Sequence, residues 1–296
     1  MSLLITGGTG FIGRALILAL GDQSFHLATR ADASEWAPAL VGVTTVVHLA
    51  ARVHVMRDTA ADPLTAFRSV NVDGTLNLAR QASNCGVKRF VYISSVKVNG
   101  ENTVAGLAFT EADPPDPQDA YGQSKYEAEQ GLRQIAADTG MEVVIIRPPL
   151  VYGPGVKANF AALMRAVKNS LPLPLGAIHN QRSLVALDNL VDFIVTCITH
   201  PKAANQTFLI SDGQDLSTTE LVRGMAHAAG VSAHLLPVPV WALEFAGRLF
   251  GKADALQRLT GNLQIDSSKA RNLLGWKPKI SVQEGLRRAI IGNFGL

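Results

Sequence analysis

Ser2-Leu3-Leu4-Ile5-Thr6-Gly7-Gly8-Thr9-Gly10-Phe11-Ile12-Gly13, followed by Arg14-Ala15-Leu16-Ile17-Leu18-Ala19-Leu20, decides the fold. Residues 2–6 read as a short apolar strand, residues 14–20 as a helix, and glycines stand between them at 7, 10 and 13. Strand, glycine turn and helix in that order are what a dinucleotide pyrophosphate requires. Gly7 allows a tight turn, Gly10 lets the phosphates approach the backbone, and Gly13 lets helix and strand pack closely. The helix start offers free N–H groups to the anion, those of Phe11 and Ile12 included. A glycine turn with no ligand is the bland alternative, and the flanking strand and helix argue against it.

Outward from this stretch, strands and helices alternate. Strands are expected at 25–29, 44–51, 88–94, 142–147 and 207–211, and helices at 62–84, 120–139, 159–168 and 188–199, the last capped by Asp188. That alternation argues a parallel sheet covered on both faces. Leu49, Ala50 and Ala51 end the third strand, where small side chains let a cofactor lie against the backbone. His48, inside that strand, reads as a hydrogen-bonded core histidine. Beyond Pro148-Pro149 the pattern becomes mostly helical. Ser217…Glu220 and Ser281…Glu284 fit capping boxes, so these acids read as helix starts. Trp241, Leu243, Phe245, Leu249 and Phe250 form an apolar helix face, expected as core or lid.

Composition bounds the function. The chain has 296 residues, 47% hydrophobic and 17% charged, with a net charge of +3 and no long basic run, which gives no case for nucleic acid. Cys85 and Cys197 are single and far apart, so they are expected as small buried hydrophobes, with neither a disulfide framework nor a metal site. No apolar run approaches the ~20 residues of a spanning helix. The nucleotide-binding strand starts at residue 2, leaving no room for a targeting peptide, and a cytoplasmic location is expected.

The chemistry is carried by Tyr121-Gly122-Gln123-Ser124-Lys125, which sets a tyrosine and a lysine at i and i+4 on one helix face. A tyrosine of ordinary pKa about 10 needs its anion stabilised to work near neutrality, and a lysine one turn away supplies positive charge. Ser95, at the end of the 88–94 strand, can reach the same substrate oxygen. At the tip of the second strand stands Thr29-Arg30, where an NAD-binding protein carries an acid for the ribose 2′-hydroxyl. An arginine there suits a 2′-phosphate or is a solvated loop residue.

The chain resembles the extended short-chain dehydrogenase/reductase family, in the branch of nucleotide-sugar epimerases and dehydratases. The matching stretches run from end to end: GGTGFIG at 7–13, HLAA at 48–51, NVDGT at 71–75, YISSVKVNG at 92–100, YGQSK at 121–125, RPPLVYGPG at 147–155, RSLVALDNLVD at 182–192 and DSSKARNLLGWKP at 266–278. The resemblance implies a doubly wound parallel (Rossmann) sheet with a small, mostly helical C-terminal region. Residues 1–150 would bind the dinucleotide and 151–296 the substrate, with the strand near 207–211 returning to the sheet. It makes Tyr121 the acid/base, Lys125 its electrostatic partner on the nicotinamide ribose, and Ser95 the group that polarises the reacting oxygen. Asn71 would support the lysine through backbone or water contacts, and Ser94, Pro148 and Val151 would wall the cofactor. Lys97, the Asn159-Phe160 pair and Arg182 would face the substrate, with Arg182 as the diphosphate clamp.

Two departures from the family pattern stand out. Only residues 31–43 separate the second strand from HLAA, so the extra strand usual there, with its acidic adenine contact, is missing. The other is Arg30 with no acid at the strand tip. Both favour NADP(H), with NAD(H) as the alternative. The expected activity is hydride transfer from NADPH to the 4-keto carbon of a nucleotide-activated deoxyhexose. The alternatives are a 4-epimerase with retained NAD and, more remotely, a non-catalytic redox sensor. The oligomeric state is left open, a homodimer included.

Overall fold

Leu3 and Ile5 of strand β1 (Leu3–Thr6) enter one hydrophobic cluster and Leu4 enters another, the period-2 alternation of a sheet buried on both faces. The computed structural model of the chain describes residues 2–21, 25–28, 35–53, 62–249, 251 and 253–295. The same division recurs in β3 (Thr45–His48), β4 (Arg89–Ile93) and β5 (Glu142–Arg147). Val47, Val91, Val144 and Ile146 share a cluster with Leu3, while Val46, Phe90, Val143 and Ile145 share one with Leu4. Helices α1 (Phe11–Leu20) and α6 (Leu187–Thr199) cover the first face; α3 (Thr75–Asn84) and α4 (Ala120–Thr139) cover the second.

With β2 (Phe25–Ala28) and β8 (Thr207–Leu209), six strands pair in parallel in the order β2-β1-β3-β4-β5-β8. From β1 the chain runs to β2 on one side and then to β3 on the other. A crevice therefore opens at the carboxyl ends of β1 and β3, where open α/β sheets bind ligands. The register sets Thr6 beside His48 and His48 beside Tyr92, so the strands end together at that crevice.

Past β5, β6 (Leu150–Tyr152) pairs in parallel with β7 (Leu184–Ala186), a small second sheet that the sequence did not announce. A third core cluster joins it to α5 (Ala158–Lys168), α7 (Thr218–Ala228) and α11 (Val282–Phe294), and includes Tyr152, Met164, Val222, Met225 and Leu286. The buried Tyr152 hydroxyl donates to Asp212 at 2.7 Å, and Asp212 also accepts from the Ala186 N–H and Asn189. Helices α8 (Val240–Leu249), α9 (Ala253–Thr260) and α10 (Ser268–Leu274) complete the chain. Among the described residues no helix is long and apolar enough to cross a membrane.

Several local expectations are corrected. The stretch 62–84 is helical throughout, as expected, but not regular: α2 (Pro63–Arg68) passes through a π-helical turn, Ser69–Gly74, into α3. Its start is capped by the Asp62 carboxylate, which accepts from the Thr65 N–H. Asp188 does not cap α6, whose N-cap is Ala186, and pairs instead with Arg288 at 2.7 Å. Ser217 and Glu220 form the full capping box; Ser281 caps α11 by accepting from the Glu284 N–H at 3.3 Å, but the Glu284 carboxylate pairs with Arg287 and Arg288, so only half of the second box is made. Cys197 is buried, but Cys85 is exposed, because it follows the last turn of α3 at the surface. On α8, Leu243 is buried while Trp241, Phe245 and Leu249 are exposed, since their i, i+4, i+8 spacing places them on the face opposite the core. Phe250 lies outside the described residues. Between β2 and β3 the described residues hold only a 3₁₀ turn, Ala37–Leu40, and no strand.

Candidate active site

The glycine turn is pressed against the end of β3. Gly7 has φ +71°, and a Cβ on it would stand 2.7 Å from the Ala50 nitrogen. A side chain on Gly13 would strike the Gly7 carbonyl oxygen, so helix and turn touch backbone to backbone. Helix α1 starts at Gly10 with no side-chain cap, which leaves its first N–H groups, from Phe11 and Ile12 on, open to an anion. Beneath the turn, His48 ties three elements together: Nδ1 meets Thr6 Oγ1 at 2.7 Å and Nε2 meets Thr75 Oγ1 at 2.9 Å. Burial, with the nearby Lys125 charge, lowers its pKa to about 3, so the imidazole is neutral and structural. A pyrophosphate fits this cradle of bare backbone. The half-buried Leu49, Ala50 and Ala51 follow β3 at its rim.

Tyr121 is the second residue of α4, whose N-cap Asp119 accepts from the Gly122 N–H at 2.7 Å. Lys125, one turn on, is 2% exposed. Its Nζ donates to the Ile93 carbonyl at the end of β4 at 2.7 Å and lies 4.5 Å from the centre of the Tyr92 ring and 5.9 Å from that of Tyr121. Burial pulls the Lys125 pKa down to about 7, against the opposing pull of Glu129. Burial, and then the Asp119 charge, push the Tyr121 phenol above its usual value. As it stands, the phenol is a proton donor. To act as a base it needs added positive charge beside it.

Ser95 is half-buried and caps the 3₁₀ turn Val96–Val98, its Oγ accepting from the Lys97 N–H at 3.2 Å. A Cβ on Gly122 would come within 2.8 Å of the Lys97 carbonyl oxygen. The glycine of YGQSK thus lets the turn that Ser95 caps abut the first turn of α4, which carries Tyr121.

Other expected residues are placed differently. The Asn71 amide donates to Ser124 Oγ, at 3.0 Å, and also binds the Arg52 N–H and carbonyl. Ser124 in turn donates to the Tyr121 carbonyl, so Asn71, within the π-helical turn, steadies α4 beside the lysine. Such turns recur at functional sites. The Ser94 hydroxyl is turned inward and donates to Glu129 at 2.6 Å. Pro148 is buried directly after β5, its carbonyl accepting from the Val96 N–H, and Val151 lies half-buried in β6. Lys97 is held by the carboxylates of Glu101 and Asp119. Asn159 is exposed near the start of α5, whereas Phe160 is drawn into the core and stacks on Tyr152 at 5.6 Å. Arg30 lies outside the described residues.

Arg182 is half-buried and donates through Nη1 to the Gly261 carbonyl at 2.9 Å. Its pKa is lowered by burial first; Glu101 opposes this, and the like charge of Arg258 adds to it. Two guanidiniums therefore share one neighbourhood on the C-terminal side. Arg258, on α9, was missed in the sequence because no motif marks it.

The sequence pattern of the NAD dependent epimerase/dehydratase family matches residues 3–211. The chain belongs to this family. A UDP-glucose 4-epimerase of Vibrio cholerae is 51% identical over 97% of this chain and 94% of its own length. One from Mycolicibacterium smegmatis is 28% identical over 98% of this chain and 97% of its own. Among solved structures, the Thermus thermophilus UDP-glucose 4-epimerase in complex with NAD has a TM-score of 0.79 at 22% identity, covering 100% of this chain and 99% of that one. RMD from Pseudomonas aeruginosa complexed with NADPH has 0.78 at 24%, covering 99% of each. These likenesses support an enzyme of the epimerase/dehydratase family that uses a nicotinamide dinucleotide, with a Rossmann sheet and a helical C-terminal region.

Proposed function

We propose that the protein inverts the configuration at C4 of the hexose in a nucleoside diphosphate sugar, by removal and return of a hydride. The observation that carries this reading is the 51% identity to a UDP-glucose 4-epimerase over nearly the full length of both chains. The Tyr121–Lys125 pair at the open end of the sheet supports it with the chemistry it needs. The order of preference drawn from the sequence, reductase before epimerase, is thereby reversed.

In this reading the backbone of Gly7 to Gly13 and the N-terminus of α1 hold the pyrophosphate of the dinucleotide, and Lys125 its nicotinamide ribose. Bound there, the dinucleotide supplies a hydride acceptor that becomes the donor in the second half-reaction. Tyr121 takes the proton of the 4-hydroxyl and later returns it, while Ser95 hydrogen-bonds the same oxygen. Residues 151–296 hold the sugar nucleotide, with Arg182 and Arg258 on its diphosphate.

The sequence Thr29-Arg30 and the short 31–43 segment favour a second reading, a 4-ketoreductase consuming NADPH. One experiment separates them. The purified protein is given UDP-glucose and UDP-galactose, each with and without its N-acetyl group, and the products are followed by NMR. Interconversion of C4 epimers with no net consumption of dinucleotide is expected, and Tyr121→Phe should slow it by at least ~10²-fold. Absence of interconversion, together with stoichiometric oxidation of NADPH by a 4-keto-6-deoxyhexose nucleotide, would replace the epimerase with the reductase.

A further inference from the structure

Glu129 stands on α4 one turn beyond Lys125 and two beyond Tyr121, and it is 0% exposed. A buried carboxylate is costly unless its oxygens are met, and here all are. Oε1 accepts from Ser94 Oγ at 2.6 Å and from Arg147 Nε at 2.9 Å, and Oε2 from Arg147 Nη2 at 2.6 Å and Arg133 Nη2 at 3.0 Å. Arg147, itself 2% exposed, passes its remaining Nη1 to Asn99 Oδ1 at 2.9 Å.

The partners of this carboxylate are the ends of the elements that carry the site. Ser94 directly follows β4 and precedes Ser95. Arg147 closes β5 and precedes Pro148. Asn99 follows the turn that Ser95 caps, and Arg133 reaches Thr207 of β8 at 3.1 Å. The geometry points to Glu129 as a positioning residue for the hydride-transfer chemistry, one that locks Ser95, Pro148 and the Tyr121–Lys125 helix into a single frame and sets a negative charge one turn behind Lys125. This inference rests on the reading of Tyr121 and Lys125 given above.

Stability alone does not explain the choice of residue. A buried ion pair is often no more stabilising than well-packed apolar side chains of similar volume. What an apolar pair could not supply is charge beside Lys125. Around that ammonium, β3 contributes a neutral His48, β4 contributes Tyr92 and the Ile93 carbonyl, and α4 contributes the Tyr121 phenol. Among the described residues, Glu129 is the charged group that raises the proton affinity of Lys125, against the larger opposing effect of burial.

The test compares the wild type with Glu129→Gln/Arg147→Met, which removes both buried charges together so that neither is left unpaired. Thermal melting and dinucleotide titration report folding and cofactor binding, and kcat is measured from pH 5 to 10. The double variant should melt cooperatively and bind dinucleotide within a few-fold of wild type. Its kcat at pH 8 should fall by roughly 10-fold or more, and the alkaline limb should move about one unit lower, because Lys125 then loses its proton sooner. Glu129→Asp, which keeps the charge, should keep the alkaline limb in place even where its kcat falls. A folded double variant with wild-type kcat and pH profile would overturn the inference and leave Glu129 a structural ion pair. So would an alkaline limb displaced in Glu129→Asp as far as in the double variant. Tyr121→Phe in the same assay keeps the two claims apart: if it retains activity, the reading of the site itself fails, whatever Glu129 does.

Discussion

Replacing Lys125 by methionine should stabilise the protein in mild acid while destroying its activity. The ammonium is 2% exposed, and its pKa is held at about 7 against 10.5 for the free side chain. A lysine whose folded pKa lies below its unfolded one makes the unfolded chain the tighter proton binder between those two values. Stability therefore rises with pH across that window, and the full penalty applies below pH 7. At about 1.4 kcal/mol per pKa unit the penalty is roughly 5 kcal/mol at pH 6 and about 2 kcal/mol at pH 9. Methionine removes it at both. It also removes the 2.7 Å hydrogen bond to the Ile93 carbonyl. Leaving that buried acceptor unmet costs about 1–3 kcal/mol, independent of pH. The variant should then exceed wild type by roughly 2–4 kcal/mol at pH 6 and match it to within about 1 kcal/mol at pH 9, a difference of about 3 kcal/mol due to titration alone. Urea denaturation of dinucleotide-free protein at the two pH values measures this, alongside a fall in kcat of at least ~10²-fold. A stability difference that is the same at both pH values, or that grows in favour of the variant toward alkaline pH, would refute the reasoning.

Two further outcomes test the binding surfaces. Gly7→Ala forces a side chain into a φ of +71° and against the Ala50 nitrogen, so it should cost about 1–3 kcal/mol of stability and weaken dinucleotide binding, read by fluorescence titration, by roughly 10-fold or more. Arg182→Ala should weaken UDP-sugar binding by about 1.5–3 kcal/mol and leave dinucleotide affinity alone; unchanged affinity for UDP would reduce Arg182 to a support for the Gly261 carbonyl.

The first strand, its glycine turn and α1 were legible from residues 2–20, because backbone sterics and strand alternation act over a few positions and leave their mark in local sequence. Helix α4, expected at 120–139, runs over those residues, and with it the spacing of Tyr121 and Lys125 was readable as a shared face. Hydrogen-bonded burial of His48 also followed from its place inside an apolar strand. Tertiary structure alone decided the partners of the polar groups. Ser94, expected on the cofactor, turns to Glu129; Asn71 reaches Ser124, 53 positions away; Lys97 is taken by Asp119; and Arg258 comes near Arg182. The π-helical turn inside 62–84 was hidden too; it holds Asn71 between the Arg52 backbone and α4. Periodicity tells which face of an element is buried. Which charge or hydroxyl waits there depends on how distant elements pack, and each buried polar group must take whatever partner that packing brings within reach.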